Sequence, residues 1–203
     1  MAINYQTPYT GITARTAATL ASADMTFAGV KIDGSGDPLK TDYSDVKEAV
    51  QAGVVIGFIQ LLNSQASGTA SGNFTSGSPQ TRVINTKAVD TLSRCTLASN
   101  QFTLLAGKYI VEAFATVYAV DNHKLTLYNV TGATVDGIGI NCRANAIGTT
   151  AMLSSGVLTL ASSTTYQLRH QCQTTKTING FGGSCAFGYA EIYTTINIQV
   201  LGD

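Results

Sequence analysis

The chain has 203 residues, no net charge (12 basic and 12 acidic side chains) and only 12% charged residues, about half the share of roughly 25% that is usual for a soluble domain. That excludes a basic nucleic-acid groove, which needs clustered Lys and Arg to neutralise phosphates. The surface must be made polar by Thr, Ser, Asn and Gln, a composition suited to strands, turns and surfaces buried in an assembly. The longest apolar run, Val54 to Leu62, is interrupted by Gly57 and Gln60. It is far short of the ~20 residues that a membrane helix requires. No membrane insertion and no nucleic-acid partner are expected. The start carries no secretory pattern, so synthesis in a cytosol is expected.

In chain order, residues 1–62 read as an irregular N-terminal region. Met25–Ile32 suggests a short strand, and Asp33-Gly-Ser-Gly-Asp37-Pro38 a turn. One short helix is expected from Ser44 to Ala52, with Val46, Ala49 and Val50 on one face and Gly53 as the stop. Val54–Leu62 is either a buried strand or a second short helix. Residues 63–80 (NSQASGTASGNFTSGSPQ) are Ser/Gly/Thr-rich and read as a linker, which places a domain boundary there.

From Thr81 strand signals alternate with turn signals. The expected strands are Arg82–Lys87, Cys95–Leu97, Phe102–Leu104, Lys108–Tyr118, Lys124–Val130, Val135–Cys142, Ala151–Leu160, Tyr166–Gln173 and Tyr189–Leu201. A tight turn is expected at Asp121-Asn122, and a glycine-rich loop spans Asn179 to Gly183. So many short strands over residues 81–203 imply an all-β sandwich or jelly roll.

Two strands carry more than fold information. Lys108–Tyr118 places Tyr109, Val111, Ala113 and Val117 on one face and Ile110, Phe114 and Tyr118 on the other. In the last strand Ile192, Ile196, Ile198 and Val200 oppose Tyr193, Thr195 and Leu201. A sandwich core covers one face. Each large side chain left in water on the other forgoes about 1.5–3 kcal/mol, so a second cover is expected: another subunit, or the N-terminal region.

The phrases FTLLAGKYIVEA (from Phe102), HKLTLYNVT (from His123), YQLRHQCQTT (from Tyr166), INGFG (from Ile178) and AEIYTTINIQVL (from Ala190) carry a resemblance. Together they resemble the TNF/C1q-like jelly roll, and most of all its relatives among tailed-bacteriophage virion and tail-fibre proteins. The resemblance covers about Thr81–Leu201. It implies a homotrimer packed through the long and last strands, with Phe114, Tyr118, Tyr193 and Thr195 at the subunit contacts. It further implies a virion component, tail-fibre or receptor-binding ahead of capsid decoration or head fibre. Residues 1–62 would then join other virion proteins. A host receptor or glycan would meet exposed loops, for which Asp121, Asn122, His123, Asn179, Gly180 and Phe181 are the candidates, since loops carry binding more often than strands. A C1q-like ligand-binding module is the more distant alternative.

Catalytic patterns are absent. Gly182-Gly-Ser184-Cys-Ala186 lacks the closing glycine of a nucleophile elbow. Glu112 and Glu191 as a glycosidase pair would lack a Trp or an acidic cluster beside them. His170 with Cys172 suggests a metal ligand pair less readily than a hydrogen-bonded sheet histidine, and His123, beside a turn, is expected to be exposed. Asp33, Ser35, Asp37 and Asp42 fail as a calcium loop for want of a Glu, Ser44 standing in its place. Cys95, Cys142, Cys172 and Cys185 form no C-x-x-C pair and read as free thiols, mostly buried. No cofactor, metal or enzymatic activity is expected.

Overall fold

A computed structural model describes residues 54–202 and, of the preceding part, only the strand pair β1 (Phe27–Ala28) and β2 (Lys40–Thr41). The chain divides into two compact units, Met1–Val50 and Gln51–Asp203. In the first, β1 and β2 pair antiparallel; β1 falls within the strand expected at Met25–Ile32. The expected helix at Ser44–Ala52 and the turn at Asp33–Pro38 lie outside the described residues.

The second unit is an all-β jelly roll of two antiparallel sheets. Its strands are β3 (Val55–Gln65), β4 (Gln80–Thr81), β5 (Thr86–Asp90), β6 (Cys95–Ala98), β7 (Gln101–Leu104), β8 (Gly107–Tyr118), β9 (Asp121–Asn129), β10 (Thr134–Ile138), β11 (Cys142–Ala144), β12 (Gly148–Leu160), β13 (Thr164–Cys172) and β14 (Glu191–Leu201). One sheet runs β12-β8-β14-β3-β5. The other runs β10-β9-β13-β7-β6, with β11 on β9 and β4 on β13.

The expected domain boundary at 63–80 is corrected by β3. This strand is seated between β14 and β5 in the five-stranded sheet, with Ile59 and Leu61 in the core. The Ser/Gly-rich stretch is therefore an excursion within the jelly roll. Low hydrophobicity marks it as a loop, and a loop inside a domain has the same composition as a linker between two.

Inward side chains follow the two-residue period of a strand. Tyr109, Val111, Ala113 and Ala115 on β8 meet Leu125 and Leu127 on β9, Tyr166 and Leu168 on β13, and Phe102 and Leu104 on β7. Ile196, Ile198 and Val200 on β14 complete this core. Burying each such side chain contributes about 1.5–3 kcal/mol. Residues 139–140 stitch the sheets together: the Gly139 amide donates to the Leu125 carbonyl at 2.9 Å and the Ile140 amide to the Met152 carbonyl at 3.1 Å.

Three details depart from the strand and turn expectations. Val135–Cys142 breaks into β10 and β11, and Arg82–Asn85 is not strand. The turn before β9 sits at Ala119–Val120, and Asp121-Asn122 begin the strand.

The pairing also fixes which loops share an end. Leu201 pairs with Val55 and Glu191 with Gln65, so the chain enters and leaves this unit at one end. The segments 66–79, 119–120, 145–147 and 173–190 gather at the opposite, distal end.

Candidate functional site: an outer sheet face and a distal loop cluster

The outward face of the five-stranded sheet is one candidate surface. It presents Phe58, Gln60 and Leu62 on β3, Thr195, Asn197 and Gln199 on β14, Ile110, Glu112 and Phe114 on β8, and Met152, Ser154 and Val157 on β12. These residues are half-buried or exposed, and Met152 and Val157 are exposed outright. Among them Glu112 carries the sole charge, with Lys108 at the basal edge of the same face. Glu112, Phe114, Ile138, Ile140, Met152, Leu153 and Ser154 line a shallow groove there of about 280 Å³. The face is broad and nearly uncharged, with Phe58, Leu62, Ile110, Phe114, Met152 and Val157 on either side of the polar Thr195, Asn197 and Gln199 of β14; depletion of charge is the character of an interface centre.

Three of the four expected contact residues belong to this face: Phe114 and Thr195, paired across β8 and β14, and Tyr118 at the distal end of β8. Tyr193 does not. It is 2% exposed, and its hydroxyl donates to the Thr69 carbonyl at 2.7 Å. A β-bulge between Ile192 and Thr194 causes this: two β14 residues stand against one β3 step, Ser64 to Asn63. The extra residue reverses the alternation, turning Tyr193 inward and Ile192 out into solvent.

The second surface is the distal loop cluster. Asp121 and Asn122 at the start of β9 meet the segment after β13: the Gln173 amide donates to the Asn122 carbonyl and the Thr174 hydroxyl to the Asp121 carboxylate. The Asn179–Phe181 loop is bridged to Gly72 through Asn179, and Phe181 stacks on Phe74. The two loops named in the sequence thus share one end of the sandwich. Their exposure differs from expectation. Asn122 is exposed and Asp121 and Asn179 half-buried, whereas Gly180 and Phe181 are buried. Gly180 has no room for a side chain: a Cβ there would stand 2.5 Å from the Lys176 carbonyl and 2.7 Å from Phe74.

His123, expected to be exposed, is 4% exposed. Because β9 begins at Asp121, His123 is an inward position, flanked in register by Cys142 and Cys172. Its Nδ1 lies 3.1 Å from His170 Nε2 and its Nε2 2.9 Å from the Thr149 hydroxyl. The described residues hold no group of three or more His, Cys, Asp or Glu side chains in metal-binding geometry. All four thiols are free; Cys95 and Cys172 are buried, Cys142 is half-buried and Cys185 exposed.

Beneath these loops lies Arg82, fully buried. Its guanidinium donates to the carbonyls of Thr116 (3.1 Å), Phe181 (3.3 Å) and Tyr193 (2.7 Å), and its Nε to the Thr194 hydroxyl (3.0 Å). The guanidinium also stands 4.4 Å over the Phe181 ring. Burial lowers its pKa to about 9, which leaves it charged at neutral pH.

The residues that sequence reasoning missed are Phe187 and Tyr189. They stand 80% and 81% exposed on the loop before β14, with Ile178 also exposed. This loop is not slack. The Glu191 carboxylate accepts from the backbone amides of Gly68 (3.0 Å), Cys185 (3.0 Å) and Ala186 (2.7 Å), and the Gly188 amide donates to the Ser67 hydroxyl. Those amides hold the Glu191 carboxyl below its ordinary range. Glu191 is therefore a loop clamp, and Glu112 pairs with Asn197 much farther down β14, so the two are no glycosidase pair. An acidic residue at a strand start, following an aromatic-containing Ser/Gly/Ala loop, was the available signal.

A group whose pKa is lowered by folding stabilises above its unfolded pKa and loses that effect as pH falls through the folded value. Glu191→Gln, or acidification below the usual carboxylate range, is expected to loosen the loop. Faster chymotryptic cleavage after Phe187 and Tyr189, read by mass spectrometry, checks this; an unchanged rate contradicts the clamp.

Residues 54–202 thus form an all-β, two-sheet jelly roll with a nearly uncharged outer sheet face and a pinned loop cluster at one end. No family model and no curated protein matches the chain. Among solved structures it is similar to murine APRIL at pH 8.5, at 8% identity and a TM-score of 0.46 over 70% of this chain and 98% of that one. The globular domain of zebrafish complement 1qA matches at 14% identity and 0.44, over 70% and 94%. PRD1 vertex protein P5 matches at 14% and 0.41, over 73% and 99%. At these TM-scores the likenesses assign no site and no activity.

Proposed function

We propose that this chain is a non-enzymatic surface component of a tailed-phage virion, assembled as a homotrimer through the outward face of its five-stranded sheet. The single observation that carries the proposal is that face. A monomer would leave Phe58, Leu62, Ile110, Phe114, Met152 and Val157 in or near water on one continuous, almost uncharged sheet, larger than the scattered apolar residues normal on a surface. The virion setting rests on the resemblance of the quoted phrases, and the threefold order on the same resemblance. The unit formed by residues 1–50 is then the part that joins the particle. The distal loops, at the end opposite the entry of the chain at Val54, are the part that meets a target.

A tail-fibre or receptor-binding role is favoured over capsid decoration by Phe187 and Tyr189. Exposed aromatic side chains on a pinned loop lose little conformational freedom on binding and are typical contact anchors. Labelled protein is expected to bind host cells. The double variant Phe187→Ser/Tyr189→Ser should lose that binding while keeping its circular dichroism and its oligomeric mass. Binding to expanded capsids with no binding to cells would establish the decoration role in its place.

A further inference from the structure

We infer that Arg82, His170 and His123 form an acid-sensitive latch that holds the distal loops closed. Three basic side chains are buried together beneath the loops, and among the described residues no carboxylate lies within ion-pair distance of Arg82. Arg82 ties the Phe181 loop to β8 and β14 through the three carbonyls. Phe181 stacks on Phe74 at 4.3 Å between centroids, Phe74 tilts onto His170 at 5.0 Å, and His170 shares a hydrogen bond with His123. The contacts thus run from guanidinium through two rings to the imidazole pair, and the loop segments holding Phe74 and Phe181 are its middle.

The geometry requires at least one neutral imidazole. The His123–His170 bond needs a lone pair on one of the two facing nitrogens, so both cannot be protonated with the bond intact. His170 Nδ1 is buried with no hydrogen-bond partner, so a His170 protonated on both ring nitrogens would carry a buried N–H and a positive charge with no acceptor to meet them. The groups that face the pair offer no compensation. They are Arg82 itself, the neutral Cys172 thiol, whose pKa burial raises to about 11, Cys142 in register with His123, and the hydroxyl of Thr149. Asp121, the acid nearest along β9, accepts from the Thr174 hydroxyl, Glu191 is engaged by backbone amides, and Lys176 stands over the Tyr118 ring.

Burial first, and then the Arg82 charge, lower the His123 pKa to about 4; the same causes, with His123 added, lower that of His170 to about 2. Both fall below the ordinary 6.5 of an open imidazole. Closed loops therefore bind protons less well than open ones. Closure is at full strength above pH 6.5 and weakens as pH falls, until His123 itself titrates near pH 4. Nothing in this depends on the oligomeric state.

Hydrogen exchange on the full-length protein, corrected for intrinsic rates, tests the latch. The probes are amides bonded within the loop cluster: Tyr118 to the Gly180 carbonyl, Thr174 to Val120 and Lys176 to Phe74. Between pH 7 and pH 5 their opening equilibrium is expected to rise about 500-fold if both imidazoles take up a proton, and about 20-fold if one does. Central amides of β8 and β14 should rise much less. His170→Phe and His123→Gln should each reduce the rise to about 20-fold or less. Loop amides that are indifferent to pH overturn the latch. So does a rise shared equally by the sheet centre, or the full rise surviving in either variant. The wild-type comparison decides the matter even if a variant does not fold.

Discussion

Arg82→Met is expected to destabilise the jelly roll by about 3–5 kcal/mol. The native guanidinium serves three backbone carbonyls and one hydroxyl at once, from inside the fold. Methionine fills much of the volume and removes the cost of burying a charge. Replacing an ion pair in this way can even stabilise a protein, because both partners become apolar. Here the partners are main-chain carbonyls of Thr116, Phe181 and Tyr193, which no substitution at position 82 removes. The Thr116 hydroxyl lies within donating distance of the Phe181 (2.8 Å) and Tyr193 (3.3 Å) carbonyls, but its one proton cannot replace the several donors of the guanidinium. Lysine is expected to rescue little, since one ammonium cannot span acceptors on β8, β14 and the loop. Denaturant unfolding measures the change. A loss under 1 kcal/mol would mean that the carbonyls find water or other donors.

Phe114→Asp is expected to dissociate the assembly while leaving the jelly roll folded. Phe114 is central to the outward face, beside Thr195 on one side and Met152 on the other. Its backbone pairing needs no particular side chain, and its inward neighbours Ala113 and Ala115 are untouched. In an isolated subunit the aspartate is solvated. Across a subunit contact it is a buried charge on a face whose cation, Lys108, lies at the basal edge, and it adds to Glu112 two residues away. Burying such a charge costs several kcal/mol per copy, enough to shift the assembly to monomer at micromolar concentration. Unchanged circular dichroism with a reduced mass is the expected pair of readings. Unfolding at the same substitution would mean that the face is covered within the chain.

Much of this arrangement was legible because strands announce themselves by period. Lys108–Tyr118 reads as largely apolar on both faces, and β8 presents a buried core face and a half-buried outer face that carries Ile110, Phe114 and Tyr118. The last strand was legible only in its C-terminal half. From Thr195 to Val200 the alternation holds, but the bulge at Tyr193 reverses it, and a bulge is a relation between two strands that one strand's sequence does not contain. β3 was separated from its domain because the polar stretch 66–79 looked like a linker. What returns it is long-range pairing with β14. His123 was misplaced by a two-residue error in the turn, since a strand starting at Asp121 makes position 123 inward. Arg82 carried a faint signal, a lone cation two residues before Ile84, with which it shares a buried face. The hydrogen bonds that make it tolerable come from residues 116, 181, 193 and 194, none adjacent in sequence.

The trimer is the claim on which the surface reading stands, and sedimentation velocity of the full-length protein at micromolar concentration tests it most directly. One species at about three times the 21.2 kDa chain mass is expected. A stable species at the mass of a single chain would contradict it.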